Sequence, residues 1–96
     1  GRDVYFNDDV EVTGGTMGVY GNNANFESSA VVENASLYSF AQSTKFNELG
    51  IDKGNLIIAN NGFSVANTMA STGTVDIMNG VIANNTIGGD FYTIGG

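Results

Sequence analysis

The sequence predicts an all-β chain, a short parallel β-solenoid of about four to five coils with Gly and Asn at its corners. Three observations carry that prediction. Gly54 to Ile58, with its turn at Asn60-Asn61-Gly62, returns as Gly73 to Ile77 with a turn at Met78-Asn79-Gly80, and opens again at Gly89. The unit starts lie 19 and then 16 residues apart (54, 73, 89), a period at which successive coils stack on one another. Fourteen Gly and thirteen Asn stand against no Pro at all, so the corners depend on the two residue types that tolerate positive φ.

Taken in order, Asp3-Val4-Tyr5-Phe6 is a β-prone run ended by Asn7-Asp8-Asp9. Val10-Glu11-Val12-Thr13 alternates apolar with polar, as a half-buried strand does, and Gly14-Gly15 turns the chain into Thr16 to Tyr20. Gly21-Asn22-Asn23 makes a further corner. The middle is less regular. Ser29 to Asn34 can be laid over the unit that starts at Gly54, with Ser29 in the glycine's place and Phe40 to Ser43 eleven residues on. Ala35 to Leu49 holds no Gly and spaces Leu37, Phe40 and Ala41 as a helix would, but its Ser, Thr and aromatic content favours strands. The polar interval from Lys45 to Gly54 reads as a protruding loop or extended corner. Residues 1–96 thus form one solenoid domain, with irregular coils over 1–53 and clearer repeats over 54–96. Leu56, Ile58, Val65, Val75, Ile77, Ile82, Ile87 and Phe91 are the expected inward-facing ladder positions.

Charge narrows the range of functions. Three Lys plus Arg against ten Asp plus Glu give a net charge of −7, which repels nucleic acid and anionic membranes. There is no Cys for a disulfide or thiolate site, and no His to serve as a base or metal ligand. No apolar run approaches the roughly 18–20 residues that cross a bilayer as a helix, and no signal peptide opens the chain.

From Gly54 to Gly96 the pattern resembles the AIDA-type repeat of bacterial autotransporter adhesins. The matching residues are Gly54, Ile58, Gly62, Ala66 and Thr68, then Gly73, Ile77, Gly80, Ala83, Thr86, Gly88 and Gly89. The resemblance implies a β-helical passenger or stalk at the bacterial surface, acting in adhesion, self-association and biofilm formation. Some members of that family carry sugars at a Ser-Ser-Gly corner. Here the corners read Asn60-Asn61-Gly62 and Met78-Asn79-Gly80, and Ser28-Ser29 precedes Ala30, so no modified residue carries over. The export domain of such a protein is absent, which makes the chain part of a passenger under this resemblance.

Individual residues point to no catalytic constellation, and neither a cofactor nor a metal is expected. Asp8, Asp9 and Glu11 are the densest acidic group, but they lack the spacing of a Ca²⁺ loop and read as a solvated turn. Asp76 and Asp90 read as outward-pointing strand residues. A carboxylate pair in a polysaccharide-acting β-helix fragment remains the enzymatic alternative. Gly14-Gly15-Thr16-Met17-Gly18 lacks the Lys and helix of a phosphate loop, and the sequons at Asn34 and Asn84 are expected by chance in so Asn-rich a chain. Tyr5, Tyr20, Tyr38, Tyr92, Phe26, Phe46 and Phe63 form either an aromatic strip for sugars or stacked core ladders. Lys45 and Lys53 flank the polar interval, where an isopeptide crosslink is conceivable but not demanded.

The expected function is therefore non-enzymatic, an adhesive or self-associating module outside the cell or at its surface, with glycans or proteins there as further partners. A second reading follows from the solenoid's ends. The chain finishes mid-repeat at Ile94-Gly95-Gly96, and a coil end without a cap can receive another coil. Val4, Tyr5 and Phe6 at one end, with Phe91, Tyr92 and Ile94 at the other, are the residues expected to meet in a head-to-tail filament.

Overall fold

Alternation of inward apolar with outward, mostly polar residues makes the strands, interrupted at the bends of the longest ones. A computed structural model describes residues 2–60, 62–77, 80–82, 85–87 and 90–93, with side chains described as far as residue 77. Among these residues there is no helix. The twelve strands are β1 (Asp3–Phe6), β2 (Val10–Val12), β3 (Thr16–Val19), β4 (Asn23–Glu33), β5 (Ser36–Ser39) and β6 (Ser43–Asp52). They continue with β7 (Asn55–Ile58), β8 (Phe63–Ser71), β9 (Thr74–Ile77), β10 (Gly80–Ile82), β11 (Asn85–Ile87) and β12 (Asp90–Thr93).

Every pairing is parallel, and each strand pairs with its counterpart one turn of chain away. One face stacks β3, β5, β7, β9 and β12; a second stacks β1, the first halves of β4, β6 and β8, and then β10. The third stacks β2, the second halves of β4, β6 and β8, and β11. Five layers on each face, the first and the last four turns apart, make a β-solenoid. On the first face the register steps are 20 (Thr16↔Ser36), 19 (Ser36↔Asn55), 19 (Asn55↔Thr74) and 16 (Thr74↔Asp90). The 19- and 16-residue repeat read from the sequence is this stack.

Inward positions form continuous ladders. Met17, Leu37, Leu56 and Val75 lie in register on the first face, the last three at most 1% exposed. Val12, Val32 and Ile51 do the same on the third. Phe6, Phe26 and Phe46 stack ring on ring on the second face, with centroids 4.5 and 4.4 Å apart, and Phe63 meets Phe46 edge-on at 5.8 Å. No layer could bury its apolar face alone; each is covered by the next. One buried polar contact interrupts the core: the Ser39 and Thr44 hydroxyls lie 2.6 Å apart, and the Ala41 amide donates to Ser39 Oγ. That pairing removes the cost of leaving two hydroxyls unsatisfied.

Two sequence expectations need correction. The interval from Lys45 to Gly54 is not a protruding loop: β6 runs through it to Asp52, with Thr44, Phe46, Leu49 and Ile51 buried. Its alternation slips between Phe46 and Glu48, where the register with β8 shifts. That bulge puts inward residues three apart and hides the strand from a period-2 reading. The coil contains three strand segments, because β4, β6 and β8 each span two faces across such a bend. Consequently Gly54 lies beneath Ala35, not Ser29: Asn55 pairs with Ser36, and Ser29 pairs with Glu48.

Ala35 to Leu49, for which strands were favoured over a helix, is β5 and most of β6. Leu56, Ile58, Val65, Val75 and Ile77 are buried as expected, whereas the side chains of Ile82, Ile87 and Phe91 lie outside the described residues. The corner between the third and first faces uses positive φ at Asn34 (51°) and Lys53 (54°), one coil apart. Asparagine adopts that region readily and lysine does so at a cost.

Candidate functional site

The outward positions, every second residue of each strand, form a grid set by the stack. Layers lie about 4.8 Å apart and alternate residues along a strand about 6.6–7 Å apart. Each face presents a distinct column set.

On the first face, Gly18, Tyr38 and Ile57 share a column that continues through half-buried Asp76 to the position of Tyr92. Just past it, at the end of the strand, Tyr20 and Phe40 stack with ring centroids 5.1 Å apart, and Tyr38 lies 6.3 Å from Phe40. Tyr20 is 67% exposed and Phe40 42%. The Tyr20 ring reaches back over Gly18, where an added Cβ would lie 3.3 Å from it. The Asn60 side-chain amide donates to the Phe40 carbonyl at 2.7 Å and continues the column without an aromatic ring. The sequence marked Tyr20 and Tyr38 as aromatic candidates but not Phe40. The missed signal is the 20-residue interval between Tyr20 and Phe40, one coil period.

The aromatic set therefore divides. Phe26, Phe46 and Phe63 are core, while Tyr20 and Tyr38 belong to the exterior group; Tyr5 is exposed on the second face, in register with Asn25. The side chain of Tyr92 lies outside the described residues.

On the second face the outward column is Tyr5, Asn25, Lys45 and Ser64, and the bend toward the third face adds Glu27 and Asn47. Of these, Asn25, Glu27, Lys45 and Asn47 line an open groove of about 290 Å³. The Asn67 amide donates to Asn47 Oδ1 across one layer, the kind of amide ladder expected of stacked coils. Similar contacts join Asn23 to Asp3 Oδ1 (2.9 Å) and Asn55 to Ser36 Oγ (3.2 Å).

The third face is acidic. Its outward rows are Glu11 and Thr13; Ser29, Val31 and Glu33; Glu48, Gly50 and Asp52; Thr68, Ala70 and Thr72. Val31, Gly50 and Ala70 form an apolar column that floors a shallow trough of about 260 Å³. At the bend beside it, Asp9 Oδ1 accepts from Ser28 Oγ at 2.5 Å and from the Ser29 amide at 3.2 Å. The Ser28 hydroxyl first, and the Ser29 amide second, hold the Asp9 carboxyl below its usual value of 3.8. Asp8 and Glu11 are exposed, and among the described residues no three carboxylates gather as a metal site. Asp76 alternates outward between buried Val75 and Ile77, while the side chain of Asp90 lies outside the described residues.

Of the residues expected at the solenoid's ends, Val4 and Phe6 point inward from the first layer and are half-buried, whereas Tyr5 points out and is 57% exposed. Those expected at the other end, Phe91, Tyr92 and Ile94, fall outside the described side chains. The grid as a whole describes a repetitive scaffold with exposed columns, of the class of β-solenoids. No family model, curated protein or solved structure matches the chain.

Proposed function

We propose that this chain is a non-enzymatic β-solenoid module of an extracellular or bacterial cell-surface protein, acting in adhesion, self-association or biofilm formation. The observation that carries this reading is the exposed Tyr20–Phe40 ring stack, joined by Tyr38, on a face whose rigid backbone fixes its shape. Aromatic rings held in place at low entropic cost are what adhesive contacts use. The two stacked rings leave a large apolar surface open to solvent, and that exposure favours association. The AIDA-type resemblance supports the same reading from a different direction.

The test is adhesion by the isolated chain. Beads coated with it are expected to clump, or to attach to bacterial or host-cell layers, and the Tyr20→Ser/Phe40→Ser double variant is expected to lose most of that attachment while keeping its β circular-dichroism spectrum. Equal attachment by the variant, or none by the parent chain at any density, would sink the proposal.

A second reading, a filament subunit joined head-to-tail, draws on the first layer. Val4, Phe6, Val10 and Met17 are only half-buried, whereas the residues beneath them, Ala24, Phe26, Ala30 and Leu37, are at most 3% exposed. A further coil laid on β1, β2 and β3 would bury that apolar surface and pair their backbone groups. Electron microscopy of the purified chain separates the two readings. Uniform fibres about one solenoid wide that disappear in a Val4→Lys/Phe6→Lys variant support end-to-end assembly, whereas a dispersed monomer in solution rejects it.

A further inference from the structure

We infer that the third face is a docking surface for an extended segment of another protein with the pattern basic–x–apolar–x–basic. The inference goes beyond the adhesive role and rests on a different surface from the Tyr20–Phe40 stack. The trough is floored by Val31, Gly50 and Ala70, one residue from each of three successive layers. Gly50 leaves the middle of the floor open: a Cβ built there meets only Val31 Cγ2, at 4.0 Å. At about 260 Å³ and open to solvent, the trough is smaller than the roughly 300–1,000 Å³ of enclosed small-molecule sites. It suits an apolar side chain projecting from a strand or loop laid across it.

Charge determines which partner that is. Glu48 and Asp52 stand two residues to either side of Gly50 on the same strand, Asp52 lining the trough itself, and Glu33 and Glu11 stand outward on the two preceding layers. All four are exposed, and the described outward rows of this face hold no Lys or Arg. Lys53 follows Asp52 but sits in the next corner, at φ 54°. A segment in β conformation repeats its side chains on one side about every 6.6–7 Å, the same interval that separates Glu48, Gly50 and Asp52. An apolar residue seated over Gly50 therefore brings the residues two before and two after it above the two carboxylates. Lysine or arginine there neutralises the rim, and their aliphatic stems cover the edges of the trough. A second copy of this chain is the wrong occupant: with three basic residues and a net charge of −7, it would bring carboxylates against carboxylates.

The probe is a synthetic peptide of three Lys-Thr-Val-Thr-Lys blocks, compared with a peptide of the same composition in which the lysines and valines are each grouped together. Binding to the full chain is followed by calorimetry at low and at physiological salt. The patterned peptide is expected to bind about tenfold more tightly than the grouped one. Gly50→Leu, which fills the trough, and the Glu48→Gln/Asp52→Asn pair are each expected to weaken it by about tenfold or more. Tyr20→Ser is expected to leave it unchanged, which separates this surface from the adhesive one. Circular dichroism establishes that each variant is folded, and Gly50→Ala serves as a milder filling should the Leu variant not fold. Equal binding of the two peptides, no binding at low salt, or wild-type affinity in a folded trough-filling variant would each overturn the inference. So would self-association of the chain through this face at pH 7, where its carboxylates are charged, detected as a dimer that the Gly50 variants abolish.

Discussion

At the residue scale, contacts between coils do work that contacts along the chain cannot. Asp9 and Ser28 are 19 residues apart, yet the hydroxyl reaches the carboxylate because a full coil returns the chain to the same corner. The carboxyl is held low by that bond, so the contact favours the fold above the unfolded carboxylate value of about 3.9 and loses its effect as pH falls through the lower folded value. Asp9 is fully exposed, so the energy at stake is small and the titration is the better readout. In a carboxyl-resolved NMR titration, Ser28→Ala is expected to move the Asp9 midpoint upward; an unmoved midpoint would show that the hydroxyl does not hold it. In the core, Phe26 lies between Phe6 and Phe46 and is 3% exposed. Phe26→Ala removes the middle of the stack and leaves a cavity that the two neighbouring coils cannot close without bending, so it is expected to cost about 3–5 kcal/mol in a denaturant titration. A loss below about 1 kcal/mol would mean that the layers slide together to fill the gap. The sequence placed Phe26 among aromatics that were either ladder or binding strip, because their 20-residue interval identifies a column without saying whether the column faces in or out.

At the element scale, what the sequence made legible was decided by where the chain bends with glycine and where it bends with a bulge. The strands after Gly54 and Gly73 were read correctly because each follows a glycine corner and alternates cleanly. The long strands β4 and β6 were read only in part, because each crosses from one face to the next through a register shift, with Glu27 and Ser28 at one bend and Asn47 and Glu48 at the other rather than glycine. Glycine does have a fixed task at the corner before β7 and β9. A Cβ added to Gly54 would lie 2.8 Å from the Ala35 carbonyl oxygen, and one added to Gly73 would fall on the backbone of Gly54. The layers approach too closely there for a side chain pointing along the stack. The corners also receive the interlayer bonds Asn55 N–H to Ala35 and Thr74 N–H to Gly54, both 2.9 Å. Gly73→Ala is therefore expected to destabilise the chain by more than the roughly 1 kcal/mol of an ordinary Gly-to-Ala change in the unfavourable direction. It is also expected to speed hydrogen exchange at Thr74 first. Wild-type exchange at that amide would place the strain elsewhere. Ala35 holds the equivalent corner beneath Gly15, which is why the middle coils looked as though their corners had been lost.

At the scale of the whole molecule, a stack of coils couples charge to association in a way a single sheet does not. The third face collects Glu11, Glu33, Glu48 and Asp52 with no Lys or Arg in its described outward rows, and Glu33 lies beside Asp52 one coil away, so like charges accumulate along that face. The net charge of −7 keeps such faces apart, and the sequence pI of about 4.1 marks where that protection ends. Protonation toward pH 4 removes the repulsion while leaving the apolar column at Val31, Gly50 and Ala70 and the Tyr20–Phe40 stack exposed. Self-association, followed by light scattering, is accordingly expected to rise steeply as pH falls from 7 to about 4, and to rise more gently with added salt at pH 7, since salt screens surface charge over a Debye length of about 8–10 Å. The two routes differ in what they predict for mutants. If lateral contact through the faces causes the rise, Tyr20→Ser/Phe40→Ser lowers it at both pH values, whereas Val4→Lys/Phe6→Lys at the end of the stack leaves it in place. The reverse result assigns association to the ends, and with it the head-to-tail reading, because end contacts bury the half-exposed Val4 and Phe6 and involve few of the carboxylates that titrate. Scattering that stays flat from pH 7 to 4 would show that neither surface drives self-association, leaving an adhesive role dependent on partners of a different kind.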